Sequence, residues 1–117
     1  IPCIENDIDA NKNWGRGIHC SDDIWYADER SYIVESTSTE IRKQILCVLV
    51  ACGESLKLPY SPSLIYPPTR YVMNHHQIAW DSVSGLYSNG SKTADVNVFY
   101  RSDQVLPSFI IDYSVKL

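Results

Sequence analysis

The sequence predicts a small α+β domain in which one helix packs on an antiparallel sheet. Three observations support this fold class. A capped apolar stripe runs through residues 38–52, segments of alternating polarity follow it, and four cysteines lie in the N-terminal half. A chain of 117 residues is too short to build two hydrophobic cores, so residues 1–117 are interpreted as one domain.

The N-terminal third is expected to be an arm followed by short strands. Residues 1–16 are rich in Asn, Asp and Gly, which is typical of a loop or of the start of a hairpin. One strand is expected at residues 17–21 or at residues 24–27, and another at residues 31–35. A turn at residues 28–30 would join the last two.

The clearest predicted element is a helix from about residue 38 to residue 52. Thr37 and Glu40 frame a capping box, in which a hydroxyl accepts a hydrogen bond from an unpaired backbone amide. Apolar residues then recur from Ile41 at the spacing of one helical face, and Gly53 suits the left-handed end of a helix. We interpret this stripe as ordinary core packing.

The C-terminal half is expected to be a proline-rich loop over residues 54–69, followed by an antiparallel sheet. Period-two alternation supports the sheet, because successive side chains of a strand point to opposite faces. The expected strands cover residues 71–75, 77–83, 94–100 and 108–115, with turns at residues 88–91 and 102–104.

The cysteines, Cys3, Cys20, Cys47 and Cys52, predict disulfides and therefore an oxidising compartment. On the expected helix, Cys47 and Cys52 point in different directions and are separated by more than ~7 Å, so they should not pair with each other. Two pairings stay open: Cys3–Cys52 with Cys20–Cys47, or Cys3–Cys47 with Cys20–Cys52. Either pairing staples an N-terminal hairpin to the helix. No zinc-type cysteine spacing occurs, so no metal is expected.

Composition and charge narrow the function classes. The net charge of −4 and the pI of about 5.2 disfavour a general nucleic-acid-binding protein, which needs clustered Lys and Arg. The longest apolar run, residues 45–52, is too short to cross a membrane. The sequence begins without a leader and without Met, and is expected to be a mature form or a trimmed one. A glycosylation sequon begins at Asn89.

Short strings follow one another in a characteristic order in the second half of the chain. They are residues 66–71, Ala79-Trp80, and residues 85–91, 93–99 and 106–112. In this order they resemble the guanine-preferring ribonucleases of fungi, over roughly residues 38–114. The resemblance implies a curved antiparallel sheet with a helix packed across it and with catalytic groups on its concave face.

The resemblance also implies four catalytic positions, which in this chain are occupied by Pro68, Ala79, Val96 and Asp112. The family has His, Glu, Arg and His there, because RNA cleavage needs a base, an acid and cations around the phosphorane. Ala cannot take up a proton and Val cannot stabilise charge. The chain is therefore expected to be no enzyme and to need no cofactor.

Other ionisable residues are not expected to replace that machinery. His75 and His76 are adjacent on an expected strand, so only one of them can face a cleft. We interpret both as surface or hydrogen-bonded histidines, and Arg70 as a solvated strand residue.

A cysteine-containing chain with such an emptied site, beginning Ile1-Pro2-Cys3, is similar to the candidate effectors of cereal powdery mildew fungi. The similarity implies a secreted virulence or avirulence protein that enters the host cell cytoplasm. It further implies binding to a host plant protein and recognition by an intracellular immune receptor of the NLR type. A monomer with no membrane contact is expected.

Candidate contact residues follow from the binding hypothesis, because Tyr and Trp bury large area at low entropic cost. They are the aromatic and charged residues Trp14, Arg16, Trp25, Tyr26, Tyr60, Tyr66, Arg70 and Tyr87. The alternative is RNA binding without cleavage, with bases stacked on Tyr71, Phe99 and Tyr113. A weakly active secreted ribonuclease is the third hypothesis.

Overall fold

The computed structural model describes residues 13–73 and 76–117, and this part of the chain is mostly β-structure. It contains nine strands, one short α-helix and one 3-10 turn. The strands are β1 (Ile18–Ser21), β2 (Tyr32–Ser36), β3 (Glu40–Val50), β4 (Ser55–Lys57), β5 (Thr69–Val72), β6 (His76–Ala79), β7 (Ser82–Asn89), β8 (Lys92–Phe99) and β9 (Val105–Lys116). The helix α1 spans Ile24–Glu29, and the 3-10 turn spans Ser102–Gln104.

The predicted α+β fold is wrong, because the segment expected to form the helix is the strand β3. β3 pairs antiparallel with β9 along its whole length, from Glu40 opposite Lys116 to Val50 opposite Val105. Its β-branched residues, among them Ile45, suit a strand at least as well as a helix. A ladder of this length outweighs the weak local preference expressed by the apolar stripe.

The hydrogen bond expected of the capping box is present, but it closes a hairpin turn. The Thr37 hydroxyl accepts from the backbone amides of Thr39, at 3.3 Å, and Glu40, at 3.1 Å. The Thr37 amide donates to the Glu40 carbonyl oxygen at 2.9 Å, which joins β2 to β3. A Thr hydroxyl satisfies neighbouring amides in a turn as readily as at a helix start.

The strands form three separate sheets, where one curved sheet was expected. A four-stranded sheet has the order β1-β8-β7-β4, and its only parallel pair among the described strands is β4 with β7. A three-stranded sheet has the order β2-β3-β9, and β5 pairs with β6 alone. The described chain is elongated, with extents of 61 × 31 × 21 Å.

Several shorter elements agree with the sequence prediction and others do not. β1 and β2 confirm the strands expected near residues 17–21 and 31–35, while the alternative strand at residues 24–27 is part of α1. β8 and β9 confirm the two C-terminal strands. The strand expected over residues 77–83 divides into β6 and the start of β7.

The hydrophobic core lies on one face of the four-stranded sheet, around Trp14. Val83, Val96 and Val98 are inaccessible to solvent and pack with Trp14. The indole of Trp14 donates to the Pro59 carbonyl oxygen at 3.0 Å, which satisfies its buried N–H group.

The predicted disulfides are also wrong. Cys47 and Cys52 are both free thiols, and each of the two open pairings required both of them. As a strand residue, Cys47 lies opposite Phe109 of β9, and Cys52 lies beyond the end of β3. Cys20 lies in β1. Cys3 and the predicted N-terminal hairpin fall outside the described residues, apart from the last few positions of the arm.

Candidate binding surface

The four positions of the implied ribonuclease site lie on separate elements of the fold. Ala79 lies in β6, Val96 in β8 and Asp112 in β9, so they belong to three different sheets, and Pro68 precedes β5. Val96 is part of the core, and Asp112 accepts a hydrogen bond from Gln44 at 2.9 Å. The described residues therefore do not place these positions on the single concave sheet face that the resemblance implied.

The histidines within the described residues give no catalytic arrangement. Both ring nitrogens of His19 lie beside backbone carbonyl oxygens, at 3.1 Å from Gly17 and 3.0 Å from Asn13. His76 is exposed on β6, and His75 lies outside the described residues. These contacts fix the ring of His19, which lies on β1, against backbone carbonyl oxygens.

Three of the candidate contact residues are buried and belong to the core. Trp14 and Phe99 have no exposed surface, and Tyr26 has 2%. Phe99 therefore cannot stack on a base, which removes one of the three aromatic residues proposed for RNA binding.

Other candidates are exposed but lie apart in the chain. Arg16 follows Trp14, Tyr60 and Tyr66 lie in the loop after β4, and Tyr71 lies on β5 with 71% of its surface exposed. Arg70 is half-buried, with its guanidinium carbon 4.6 Å from the centre of the Trp80 ring. Arg70 lies on a strand as expected, but it is only partly solvated, because its guanidinium packs on an aromatic face.

The structure brings three candidates together, two of them on helix α1 and the third on β7. Tyr26 packs edge-on against Tyr87, with ring centres 5.4 Å apart. Trp25 lies against the same Tyr87 ring at 6.0 Å, with the two planes 32° apart. Offset and edge-to-face contacts at these distances are the favoured arrangements of aromatic rings.

Two cations complete this cluster. The guanidinium carbon of Arg30 lies 3.8 Å from the centre of the Tyr26 ring and 4.8 Å from that of Tyr87. The ammonium of Lys92 lies 5.8 Å from the centre of the Trp25 ring. We call the five residues Trp25, Tyr26, Arg30, Tyr87 and Lys92 the aromatic–cation surface, in which the buried Tyr26 supports the four residues that reach solvent.

Hydrogen bonds to β8 fix the position of α1 and hence of this surface. The Trp25 indole donates to the Thr93 carbonyl oxygen at 3.1 Å. The Asp95 amide donates to the Asp23 carboxylate at 2.9 Å, and the Ser21 hydroxyl donates to the Asp95 carbonyl oxygen at 2.6 Å. A helix of six residues is too short to be stable alone, so these anchors determine where its side chains lie.

A groove of about 620 Å³ adjoins the aromatic–cation surface, between α1 with β1 on one side and β3 with β9 on the other. Tyr26 and Arg30 line both features. The opposite wall is mostly apolar and includes Leu46, Cys47 and Ile111. A volume of this size lies in the range of protein pockets that hold small ligands or the side chains of a partner.

An ion pair with a tyrosine links α1 to the three-stranded sheet. The Asp28 carboxylate accepts from the Lys43 ammonium at 3.1 Å and from the Tyr113 hydroxyl. The Tyr113 hydrogen bond, supported by Lys43, holds the pKa of Asp28 below its usual value, although partial burial opposes the shift. Partial burial and the Asp28 contact raise the pKa of Tyr113. These groups keep a carboxylate ionised and a phenol neutral, which is a structural arrangement.

The sequence named three members of the aromatic–cation surface and missed Arg30 and Lys92. Arg30 lies four residues after Tyr26, the spacing that brings side chains together on one helix face, so this signal was available. Lys92 joins the cluster through the β7–β8 hairpin, where it lies opposite Asn89. No local pattern indicates that contact.

Comparisons of the chain with protein-family models, with curated proteins and with solved structures found no match. Within residues 13–73 and 76–117, no group of three or more Cys, His, Asp or Glu side chains is placed to hold a metal ion. The described part of the chain has no helix of the length and apolarity that a membrane crossing requires.

Proposed function

We propose that this chain is a secreted virulence effector that acts by binding a host protein, and that the aromatic–cation surface is its main contact. The observation that carries the proposal is the stacking of Trp25, Tyr87 and Arg30 beside one another. Trp, Tyr and Arg are the residues that most often dominate protein–protein binding energy.

The geometry of the surface favours binding in two ways. Trp25 and Tyr87 are half-buried, so their rings are held in place before a partner arrives and lose little freedom on binding. Lys92 is exposed and adds a positive charge at this point of an acidic chain, which suits a carboxylate on the partner.

The biological setting of this binding is proposed from the sequence resemblance alone. Secretion, delivery into the host cytoplasm and recognition by an NLR-type receptor are what the similarity to powdery mildew effectors implies. The three-sheet architecture does not contribute to that part of the proposal, because it differs from the fold of fungal ribonucleases.

The test is a pull-down from cereal leaf extract with the whole chain, followed by affinity measurement on the captured protein. Trp25→Ala and Lys92→Glu should each weaken binding by about tenfold or more, as expected for hot-spot residues. Tyr60→Ala and Tyr66→Ala are the matched controls, since both side chains are exposed aromatics outside the surface. Equal binding by all four variants would contradict the proposal.

The Lys92→Glu variant distinguishes a loss of binding from a loss of folding. Lys92 is exposed and lies in a hairpin, so its replacement should shift the thermal unfolding midpoint only slightly. Trp25→Ala removes a half-buried ring and an indole hydrogen bond, and its binding is interpreted only alongside its unfolding curve.

RNA is tested as the competing partner in the same preparation. Labelled RNA is titrated at low and high salt, and its breakdown is followed on a gel beside an active fungal ribonuclease. If the partner is a host protein, we expect no RNA binding that becomes stronger at low salt. RNA binding through phosphate contacts would show that salt dependence. Cleavage above background would overturn the non-enzymatic part of the proposal.

A further inference from the structure

Strand β9 forms an open edge of the three-stranded sheet. Its inner neighbour is β3, and no strand pairs with its other side within residues 13–73 and 76–117. β9 is twelve residues long, and most of its side chains are exposed. A long edge of this kind presents unpaired backbone groups to which another strand can add.

The hydrogen bonds at the two ends of β9 determine which backbone groups point outward. The Leu117 amide donates to Thr39, one position beyond the pair formed by Glu40 and Lys116, at 2.8 Å. Residues of an antiparallel strand alternate between bonding one neighbour and bonding the other. The amides and carbonyls of Ser114 and of the other even-numbered residues from 110 to 116 therefore point away from β3.

A β-bulge ends this outward row. The pairing shifts between Cys47 and Val48, and beyond it the Ala51 amide donates to Gln104 at 2.8 Å. In that phase Pro107 points outward, where it has no N–H group to offer. The open part of the edge consequently runs from residue 110 to residue 116.

The side chains along this edge are complementary to those of the same edge on a second copy of the chain. Asp112, Ser114 and Lys116 lie on one face of β9, and Tyr113 and Val115 lie on the other. An antiparallel copy that is centred on Ser114 places each Asp112 opposite Lys116 of the second copy. The same alignment places each Tyr113 opposite Val115 of the second copy, which is a favourable aromatic–aliphatic pair.

We propose that two copies of this chain pair antiparallel along β9 about Ser114, so that two three-stranded sheets become one continuous sheet. This alignment brings the outward-pointing backbone groups of the two strands opposite each other, and it also pairs their opposite charges. Centring on Tyr113 also uses the outward residues, but it sets Asp112 opposite Ser114 and Lys116 opposite Ile110 and leaves both charges unpaired. The paired surface is the same patch on both copies, as a two-fold dimer requires.

Neighbouring charges on this face do not oppose the pairing. Gln44 donates to Asp112, and Glu40 lies opposite Lys116 on β3. Arg42 of β3 lies opposite Ser114, and its side chain is paired with Glu35 of β2, at 3.4 Å. Each new ion pair would therefore add an opposite charge to a group that is not held by a salt bridge within the described residues. β9 contributes no residue to the aromatic–cation surface, so the two proposals are tested separately.

The test exchanges the charges at positions 112 and 116. Sedimentation over a series of protein concentrations then measures whether each variant is a monomer or a dimer. Wild type should dimerise, whereas Asp112→Lys and Lys116→Asp should each raise the dissociation constant by about tenfold or more, through like-charge contacts. An equimolar mixture of these two variants should dimerise again, because one copy then carries two lysines and the other two aspartates at the facing positions. The double exchange in a single chain should also restore the dimer.

Proline at the centre gives a second test that does not depend on charge. Ser114→Pro removes an outward amide and should abolish the dimer, while Ser114→Ala keeps the amide and should preserve it. Thermal unfolding at the lowest concentration checks that every variant folds. Wild type that stays monomeric at all concentrations, or charge variants that dimerise as wild type does, would overturn the proposal.

Discussion

The indole of Trp14 lies directly on the backbone of Gly85. A β-carbon at position 85 would lie 2.6 Å from Cε2 of the ring and still closer to Cζ2, and neither atom can move freely in the core. Trp14 is also bonded at its carbonyl oxygen by the Tyr100 hydroxyl, at 2.8 Å, and its amide donates to Ser61 at 3.1 Å. The absence of a side chain at Gly85 therefore lets one tryptophan join the N-terminal segment to the four-stranded sheet.

Gly85→Ala should lower the free energy of unfolding by about 1–3 kcal/mol, because the added methyl group overpacks the core against Trp14. Urea unfolding followed by Trp fluorescence measures the loss. Gly90→Asn is the control, since nothing lies within 4 Å of that position and Asn tolerates its φ of +63°. A loss at Gly85 no larger than that at Gly90 would contradict the close contact.

Tyr100→Phe should change the alkaline side of the stability curve. Burial raises the pKa of Tyr100 to about 12, so the stability tied to its proton is complete below the usual value near 10 and is lost as pH rises to about 12. The variant should lose about 1 kcal/mol at neutral pH with the Trp14 hydrogen bond, and should then fall less steeply above about pH 10. Unfolding midpoints across that range test this, with the exposed Tyr60→Phe as control. Parallel curves for wild type and Tyr100→Phe would rule out the assigned burial effect.

Asp28→Asn should remove a contribution to folding stability that varies with pH. The pKa of Asp28 is lowered in the folded chain, chiefly by the Tyr113 hydrogen bond and also by Lys43. That contribution is therefore present above the unfolded pKa and is lost as pH falls through the lower folded value. We expect the variant to be less stable than wild type at neutral pH and the difference to vanish in strong acid. Asp22→Asn, at an exposed position, should show no such convergence.

Cys52 and Cys47 should both react with iodoacetamide in the native protein without a reducing agent. Cys52 is exposed and should be labelled faster than the half-buried Cys47. Mass spectrometry of the peptides, with a reduced and unfolded sample as reference, measures both rates. A Cys52 peptide that takes up label only after reduction would restore the disulfide prediction.

The turns and the strand alternation were predicted correctly where they depend on a few neighbouring residues. The turn expected at residues 88–91 joins β7 to β8, with Gly90 in the left-handed region, and residues 102–104 form the 3-10 turn. The alternation that predicted the C-terminal strands is present in β8, where Ala94, Val96 and Val98 are buried on one face.

The sequence by itself determined these turns, the alternating strands, the Thr37 hydroxyl contacts and the left-handed Gly53, because each depends on residues within a few positions. Only the tertiary structure decided that residues 40–50 form a strand, since their partner β9 lies more than fifty residues later in the chain. It also decided that Tyr87 meets Trp25 and Arg30 from another element. An apolar stripe indicates which side chains will be buried. Whether the backbone buries them as a helix or as a strand depends on the surface that packs against them.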